Sequence, residues 1–381
     1  MSGPIGSSQW GYATGDYYEY KIPYSLRLDD DAGAYLNRTP GSAGDRRAWT
    51  LSFWLKWTGL EDNNTILKCP GSGDTGFFRM YFNTKRFWAS RYYGGAVGTN
   101  REFRDPAAWT HFVFRHENNI SSAVAADRWQ VFVNGVRETD LAAVSNSGNT
   151  DDAVNNNQEQ QLFGSSGSEL MDGYVADIHM LDGIVKEADA FGEFGDYGDW
   201  KPKEYVDNGS TSHGAQGYHL DFALSNDLGN DVSGNNNDFS LNNISSHDQM
   251  LDSPTNNFCV WHSIKSDEAL PNATRGFAQG NLQCTTTGLP YGAANGRIFG
   301  TMGVTSGKWY WEWIMTVDGS SVRSYIGWAD HDHSDEIAYG GDGTLRGTGS
   351  NESYGATWGI GDIIGIAFNA DTNQLTCYKN G

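Results

Sequence analysis

The chain has 381 residues, of which 19% are charged and 13% are aromatic, and its formal net charge is −21 at pH 7. A chain of this length predicts two or three domains, each large enough for its own core. Because phosphate binding needs a basic patch, this acidity argues against nucleic acid as a ligand and against binding to anionic membranes.

The composition favours an all-β fold, because glycine, asparagine and aromatic residues are abundant and suit short strands joined by tight turns. No run of about 18 apolar residues occurs, and the N-terminus lacks the regions of a signal peptide, so we expect a soluble protein without membrane insertion. The cysteines show no C-x-x-C or metal-like spacing and are interpreted as free thiols: Cys69, Cys259, Cys284 and Cys377.

The first 24 residues are rich in aromatic side chains but too few to build a core of their own. We predict that this segment attaches the protein to a partner through Trp10, Tyr12, Tyr17, Tyr18 and Tyr20. The alternative is that the segment folds back on its own domain as an edge strand, because an ordered terminus must be tied down by some surface.

Residues 25–205 predict the strands of a sandwich. The odd positions of residues 49–57 are all large and apolar, the period-two alternation of a core strand. Hairpins are predicted about Asn83-Thr84 and about Asn134-Gly135, and the second pair can adopt the positive φ angles of a type I′ turn. A strand after Asp172-Gly173 is predicted to turn its even positions to the core: Tyr174, Ala176, Ile178 and Met180.

Between these strands, residues 144–161 predict a polar loop, and residues 186–194 (KEADAFGEF) predict the one short helix. Residues 206–296 predict a turn-rich connector, because short apolar clusters alternate there with Asp, Asn, Ser and Gly. Within this connector, residues 218–245 could pack back as strands of the first sandwich.

The residues from 297 to 381 predict a second set of strands. Residues 308–317 place one apolar face on alternate positions: Trp309, Trp311, Trp313, Met315 and Val317. Further strands are predicted at 325–329, 363–368 and 375–379. The chain then ends at Asn380-Gly381, a hairpin signal without a return strand, and since an abandoned sheet leaves an unpaired edge, we expect the natural product to be longer.

Several of these stretches resemble known families. Residues 48–57 (AWTLSFWLKW), 129–136 (WQVFVNGV) and 171–183 (MDGYVADIHMLDG) resemble a laminin G or concanavalin A-like jelly roll, more narrowly the version in tail-fibre and other virion proteins of tailed bacteriophages. Residues 303–313 (GVTSGKWYWEW) and 361–369 (GDIIGIAFN) are similar to an SPRY sandwich that lacks its final strands. The expected fold is therefore all-β, with two antiparallel jelly-roll sandwiches in tandem, the second incomplete.

The resemblance implies a structural virion protein that is not an enzyme. It would be a tail fibre, made in the bacterial host cytoplasm, that attaches to other tail proteins through its N-terminal segment and adheres to a glycan or protein of the host surface. Phage fibres are usually homotrimers, in which weak sites on several copies combine through high effective concentration.

Two alternatives remain open at this point. The protein could decorate the capsid or form a head fibre, or the first sandwich could be a polysaccharide-degrading enzyme. A retaining glycosidase of the concanavalin-like fold needs two carboxylates on one strand face, as in E-x-D-x-E, and the sequence does not supply that motif.

The resemblance to laminin G jelly rolls, which often resemble calcium-dependent binders, implies calcium as a possible cofactor. The sequence offers oxygen ligands for it. Calcium takes six to eight oxygen ligands. One candidate set has oxygen-bearing side chains at near-alternate positions: Asp231, Ser233, Asn235, Asn237 and Asp238. A second acidic cluster is formed by residues 29–31, although turns rich in Gly, Asn and Asp look identical without a metal.

Loops are the predicted ligand-binding surfaces, because sandwiches of both families usually bind partners there. Aromatic rings can stack on the apolar face of a sugar while polar side chains bind its hydroxyl groups. The candidates in the first sandwich are Tyr92, Tyr93 and Arg101, and those in the second are Asp330, His331, His333 and Tyr354. The H-x-H spacing in the second loop suggests zinc, but no third ligand pair is evident, and a loop of solvated charges explains it.

Overall fold

The computed structural model describes residues 17–60, 62–72, 76–92, 95–121, 124–146, 148–165, 168–206, 212–266, 274–287, 297–317, 324–330, 336–347 and 352–381. The predicted all-β class is confirmed: two large antiparallel sheets form a sandwich, and small antiparallel sheets make up the C-terminal part. The chain divides into two compact units, residues 1–266 with 275–285, and residues 267–274 with 286–381. No helix among the described residues is long and apolar enough to cross a membrane.

The strands of the sandwich are, in chain order, β1 (Ser25–Leu28), β2 (Tyr35–Arg38), β3 (Ala48–Trp57), β4 (Asn64–Pro70), β5 (Phe77–Asn83), β6 (Arg86–Arg91), β7 (Gly95–Thr99), β8 (Thr110–Glu117), β9 (Trp129–Val133), β10 (Val136–Arg137), β11 (Leu141–Asn146), β12 (Gln160–Leu162), β13 (Gly173–Asp182), β14 (Gly192–Phe194), β15 (Trp200–Pro202), β16 (Tyr218–Leu220), β17 (Ser240–Asn242) and β18 (Gln249–Met250). A single helical turn, α1 (Ala125–Arg128), precedes β9. Sheet A has the order β10-β9-β8-β3-β13-β1-β18, with β16 also paired to β13. Sheet B has the order β11-β7-β6-β5-β4-β12-β2-β17, and β14 pairs with β15 separately.

The connector therefore contributes strands to the first sandwich. β16 pairs with β13, β17 pairs with β2, and β18 pairs with β1. Three short strands follow, β19 (Trp261–Ser266), β20 (Thr274–Ala278) and β21 (Gln283–Thr287).

One apolar core lies between sheets A and B. The odd positions of β3 face this core, as the alternation predicted: Trp49, Leu51, Phe53, Leu55 and Trp57. Phe53 stacks on Phe112 of the neighbouring β8 with ring centroids 5.4 Å apart. Facing side chains of sheet B, including Phe78, complete the layer, and each large side chain buried there contributes about 1.5 to 3 kcal/mol.

The predicted hairpins form, with one shifted turn. Asn134 and Gly135 have φ angles of 48° and 79°, the left-handed pair that a type I′ turn requires. In the hairpin between β5 and β6 the positive φ angles fall on Thr84 and Lys85, because Asn83 still pairs with Arg86. The turn is thus one residue later than predicted.

For β13, the prediction that four residues share the core face is wrong for two of them. Ile178 and Met180 face the core between the sheets, whereas Tyr174 and Ala176 lie on the opposite, outer face of sheet A. The cause is a β-bulge, because Ala176 pairs with Trp54 and His179 pairs with Ser52, which leaves one extra residue on β13. Asp177, inside the bulge, has a φ of 49°.

The outer face of sheet A is buried as well, beneath three segments that cross it. Ile22 of the N-terminal segment and Val260 of the connector pack with Trp54 and Tyr174 of the sheet. Phe191 and Tyr205 of residues 183–205 pack beside them on Leu181 and Phe132. Both faces of β3 and β13 are therefore removed from solvent.

The helix predicted at 186–194 is wrong. A short 3-10 turn, Ala188–Ala190, is followed at once by β14, whose three residues pair with β15. Gly192 lies against the ring of Trp200, where an added Cβ would come within 2.4 Å of the ring. The strand pairing thus overrides the helical spacing of Ala190, Phe191 and Phe194.

The second unit contains β22 (Ile298–Gly300), β23 (Lys308–Ile314), β24 (Tyr325–Ala329), β25 (Glu336–Gly340), β26 (Thr344–Arg346), β27 (Glu352–Ser353), β28 (Ile363–Asn369) and β29 (Gln374–Lys379). Within its described residues, one sheet has the order β23-β28-β29 and another the order β24-β25-β26-β27. Trp311, Trp313 and Met315 pack on Ile364 and Ile366, in agreement with the predicted face. Val317, assigned to the same face, lies beyond the end of β23 and is 77% exposed.

Candidate ligand-binding site

A pocket of about 180 Å³ opens at the end of the sandwich where β3 finishes. Its floor is apolar and includes Trp57, Phe82 and Phe112. Its rim is polar and comes from residues 101–105, of which Arg101 was predicted to bind ligand. This volume is small compared with the roughly 300 to 1,000 Å³ pockets that hold drug-sized ligands, so a single ring-sized polar group suits it.

Ion pairs order the rim of this pocket. Arg101 Nη1 bonds to Glu138 Oε1 at 2.8 Å, and its guanidinium lies 5.5 Å from the ring centre of Phe103. Glu102 pairs with both Arg104 and Arg86, and the hydrogen bond from Arg104 holds the pKa of Glu102 below its usual value. The rim thus presents guanidinium donors and carboxylate acceptors beside an aromatic ring.

An acidic recess of about 250 Å³ lies next to this pocket and is lined by Asp30, Asp62, Asn63, Asn64, Glu169 and Leu170. Trp57 Nε1, from the floor of the pocket, donates to Asn64 Oδ1 in the recess at 3.0 Å. The two cavities therefore share one end of the sandwich. Residues 29–31 bring three carboxylates within 4.8 Å of one another, and carboxylate oxygens are ligands that calcium prefers.

Two carboxyl groups of this end have pKa values shifted in opposite directions. Burial raises the pKa of Glu169, but the hydrogen bond from Lys68 and the charge of Arg79 outweigh burial and leave it below its usual value. Burial raises the pKa of Asp172 to about 7, and the charges of residues 29–31 add to that rise against a hydrogen bond from the backbone of Gly280. The charges of residues 29–31 thus reach Asp172, whereas Glu169 is balanced by Lys68 and Arg79.

The predicted calcium loop uses its oxygen atoms for hydrogen bonds within the protein. Asp231 Oδ1 accepts from the backbone N–H of His219 and of Ser233, and its Oδ2 accepts from Ser233 Oγ and from the Asn237 N–H. Asp238 Oδ1 accepts from the Asp231 N–H. Asn235 donates to backbone carbonyl groups, and Asn237 accepts from Arg38 at 2.7 Å. These contacts hold a turn against β16. The carboxylates of Asp29 and Asp30 likewise accept from backbone N–H groups of their own turn.

The other predicted ligand-binding residues are dispersed. Tyr92 is 54% exposed and packs edge-on against Phe77, and it does not line the pocket that contains Arg101. In the second unit, Asp330 follows the end of β24, and Tyr354 packs against Tyr339 and accepts a hydrogen bond from the Cys377 N–H. Tyr93, His331 and His333 lie outside the described residues.

The predicted attachment segment lies partly on its own sandwich. Tyr17 donates to Asp199 and contacts Tyr18 edge-on, and Tyr20 donates to Asp177 at 3.2 Å. The described part of the segment, residues 17–24, thus folds back on its own domain as in the alternative, but it forms no edge strand there. Trp10 and Tyr12 lie outside the described residues.

Sequence reasoning missed a buried polar cluster on the outer face of sheet A, formed by Asp177, His179, His213 and His219. His179 and His219 are register partners on β13 and β16, and their rings stack at 3.9 Å. His219 Nε2 lies 2.8 Å from Asp177 Oδ1, and His213 Nε2 lies 3.0 Å from His179 Nδ1. The three histidines lie within 41 positions of the chain. Their closeness to Asp177 depends on the bulge in β13, which no spacing of residues in the sequence indicates.

Charge balance in this cluster centres on Asp177. Burial opposes ionisation of Asp177, but the charges and hydrogen bonds of His179 and His219 outweigh it and hold its pKa well below the usual range. Burial lowers the pKa of His179. Burial also lowers the pKa of His219, but the hydrogen bond to Asp177 and the charges of Asp177, Asp221 and Asp231 together outweigh burial and leave a net rise.

His111, on the same face, has a different environment. Trp200 Nε1 donates to its Nδ1 at 3.1 Å, so Nε2 carries the proton and donates to Ser52 Oγ at 2.9 Å. Burial lowers the pKa of His111 to about 3. Both nitrogens of this ring are thus occupied, and the ring is neutral.

Comparison with known proteins bears on the first sandwich. Residues 30–189 match a laminin G family model described as the concanavalin A-like lectin/glucanases superfamily. No curated protein matches the chain.

Solved structures with some likeness include a heptameric SAP-like pentraxin from Limulus polyphemus, with 12% identity over 44% of this chain and 80% of that chain and a TM-score of 0.28. Domains LG4-5 of the mouse laminin alpha1 chain show 7% identity over 100% of this chain and 82% of that chain, with a TM-score of 0.32. The LG1-3 region of the laminin alpha2 chain shows 9% identity over 93% of this chain and 56% of that chain, with a TM-score of 0.28.

The family match agrees with the two large sheets and with the core that they enclose. Residues 30–189 therefore form a concanavalin A-like, laminin G domain.

Proposed function

We propose that this chain is a non-enzymatic binding protein whose first sandwich takes a carbohydrate at the end of the fold that carries Arg101. The observation that carries the proposal is the pairing of two cavities there, one with a guanidinium rim beside the half-buried ring of Phe103 and one rich in carboxylates, joined through Trp57 and Asn64. Planar polar groups beside an aromatic surface are the chemistry that binds sugar hydroxyl groups and the apolar face of the ring.

Calcium belongs to the same proposal. The carboxylates of residues 29–31 would hold the ion, and bound calcium would supply a cation that hydroxyl oxygens of the sugar can ligate. Asp62 and Glu169 line the same recess and add negative charge around it.

The finer identity that we propose is a structural protein of a bacteriophage virion, a tail fibre that contributes to host-surface adhesion as a homotrimer. The resemblance of residues 48–57 and 171–183 to sandwiches of virion proteins supports this identity. The resemblance of residues 303–313 and 361–369 to an SPRY sandwich supports an SPRY-like second unit. Residues 1–16 would attach the chain to other tail proteins. Labelling purified virions with an antibody against residues 25–200 tests this, and label over the head would instead favour a capsid-decorating or head-fibre protein.

The binding experiment uses a microarray of bacterial capsular polysaccharides and O-antigens, probed with the whole chain and with Arg101→Ala. A charge-assisted hydrogen bond contributes about 1.5 to 3 kcal/mol, so we expect the variant to bind roughly 10- to 100-fold more weakly. Arg47→Ala is the matched control, because Arg47 is similarly exposed, also pairs with a carboxylate, and lies at the opposite end of β3. Chelation with EGTA tests the calcium requirement separately.

Two outcomes would contradict the proposal. Equal binding by the wild-type chain and by Arg101→Ala would place the site elsewhere, and no binding to any polysaccharide with calcium present would remove carbohydrate as the ligand. Release of reducing ends from a bound polysaccharide would identify an enzyme, the remaining alternative.

A further inference from the structure

We propose that His179, His213 and His219 bind one zinc ion on the outer face of sheet A. Each of these side chains offers a nitrogen within 4.8 Å of the nitrogens offered by the other two. Zinc binds histidine nitrogen at about 2.0 to 2.1 Å, so two such nitrogens at a tetrahedral ion lie about 3.3 Å apart. His179 Nδ1 and His213 Nε2 are already 3.0 Å apart, and the His219 ring, which is stacked on His179, would have to turn out of the stack to direct its nitrogen at the same ion.

Asp177 determines which nitrogens are directed at the ion. Its Oδ1 lies 2.8 Å from His219 Nε2 and 3.3 Å from His179 Nε2. A carboxylate that holds one nitrogen of a histidine leaves the other nitrogen for a metal and fixes the tautomer, as outer-shell carboxylates do in many zinc sites. His179 and His219 would therefore bind through Nδ1 and His213 through Nε2, with Asp177 outside the coordination shell.

The environments of the histidines on this face differ. His179 Nε2 is buried 3.3 Å from Asp177 Oδ1, on the other side of the ring from the Nδ1 proposed for the metal. His111, on β8 of the same sheet face, has both nitrogens satisfied by Trp200 and Ser52. The contrast separates a histidine that bonds only to Trp200 and to its own sheet from three histidines whose ligand nitrogens lie close to one another.

The scaffold suits a fixed site. His179 and His219 are held by paired strands, and the His213 carbonyl accepts from the Asp182 N–H at 2.7 Å. Phe191 and Tyr205 flank the rings of His179 and His213, so few water molecules can compete for the ion. Three imidazoles favour zinc over calcium, which prefers oxygen, and leave a fourth position for water. The ion would fasten the start of the connector to sheet A.

Cobalt(II) is the probe, added to the tag-free, EDTA-treated whole chain and followed by visible absorption. We expect one Co²⁺ per chain, with the bands of a four-coordinate site, without thiolate-to-metal charge transfer, and displaced by one equivalent of Zn²⁺. His213→Gln should abolish these bands, and His247→Gln, at an exposed histidine, should retain them. Absence of a stoichiometric site, a thiolate band from the free cysteines, or unchanged bands in His213→Gln would overturn the proposal.

A second measurement needs no variant and covers the case in which His213→Gln does not fold. Imidazole nitrogen resonances of the wild-type chain should move for His179, His213 and His219 on addition of Zn²⁺, and those of His247 should stay in place. Movement of other histidines alone, or of none, would equally contradict the site. Failure of either experiment leaves carbohydrate binding at the pocket with Arg101 untouched, since that pocket shares no residue with the histidines.

Discussion

The two faces of β3 are equally buried but are built from different chemistry. The face toward sheet B carries aromatic and aliphatic side chains only, among them Phe53. The outer face carries Ser52, Trp54 and Lys56. Ser52 Oγ bonds to His111 of the neighbouring strand, and Lys56 Nζ bonds to Asp252 of a distant segment. Burial alone therefore does not distinguish an apolar packing surface from a buried surface that carries polar groups. The hydrogen-bond partners of the polar atoms make that distinction.

The difference lies in what replaces water. On the inner face, rings fill the space, and Trp57 Nε1 donates to Asn64 Oδ1 at the end of the strand. On the outer face, Lys56 Nζ donates to Asp252, to Asn257 and to the Phe258 carbonyl at 2.6 to 2.8 Å. Burial lowers the pKa of Lys56 and raises that of Asp252, while their mutual attraction opposes both shifts. Removing one partner there leaves a buried charge, which is a different defect from a cavity.

The largest effect is expected from Phe53→Ala on the inner face. The ring is fully buried between Phe112 and Phe163, so its removal leaves a cavity, and the free energy of unfolding should fall by about 3 to 5 kcal/mol. Urea unfolding at several pH values is the measurement. Because no titratable side chain contributes to this stack, the loss should be the same at each pH.

A slightly smaller effect, about 3 kcal/mol, is expected from Lys56→Met on the outer face, because the Asp252 carboxylate loses its buried partner. The double variant Lys56→Met/Asp252→Asn should recover part of the loss in urea unfolding, since it removes the unpaired charge and keeps an acceptor for Trp109. Equal losses in the single and double variants would show that packing, and not the ion pair, dominates on this face as well.

The smallest effect is expected at Asp172, whose raised pKa should make the free energy of unfolding depend on pH. Its folded pKa of about 7 lies above the ordinary 3.8, so the folded state binds the proton more tightly and stability falls as pH rises. Between pH 5 and pH 8 the wild-type chain should lose about 2 to 3 kcal/mol relative to Asp172→Asn, which cannot ionise. Asparagine keeps an oxygen that can accept from the Gly280 N–H, so it serves as a conservative test. A parallel pH dependence in both proteins would contradict the assignment.

Local signals in the sequence were enough for much of the sandwich. The alternation in residues 49–57 predicted the inner face of β3, and Asn134-Gly135 predicted a type I′ turn, because both depend on neighbouring residues only. The faces of β13 could not be predicted, since the bulge at Asp177 is decided by pairing with Ser52 and Trp54 of another strand.

The candidate sites were predictable to a smaller extent. Arg101 was predicted from loop composition and lines the pocket. The calcium site at residues 231–238 stays a prediction. In the structure Asp231 accepts hydrogen bonds from its own turn, which a sequence pattern cannot reveal. Lys56 occupies a position that alternation assigns to solvent, and only the segment around Asp252 buries it.

The pairing of β1 with β18 affects when the sandwich can finish folding during synthesis of the chain. Ser25 pairs with Met250, and Thr255 exchanges hydrogen bonds with the backbone of Ile22, across about 230 positions of sequence. Contacts of such separation slow folding, because the loop between them must close first. At roughly 5 to 20 residues per second, a ribosome needs some tens of seconds to deliver the second partner. During that interval the edge of β1 is unpaired and Lys56 lacks its carboxylate, so nascent chains are expected to rely on chaperones until residue 260 has emerged.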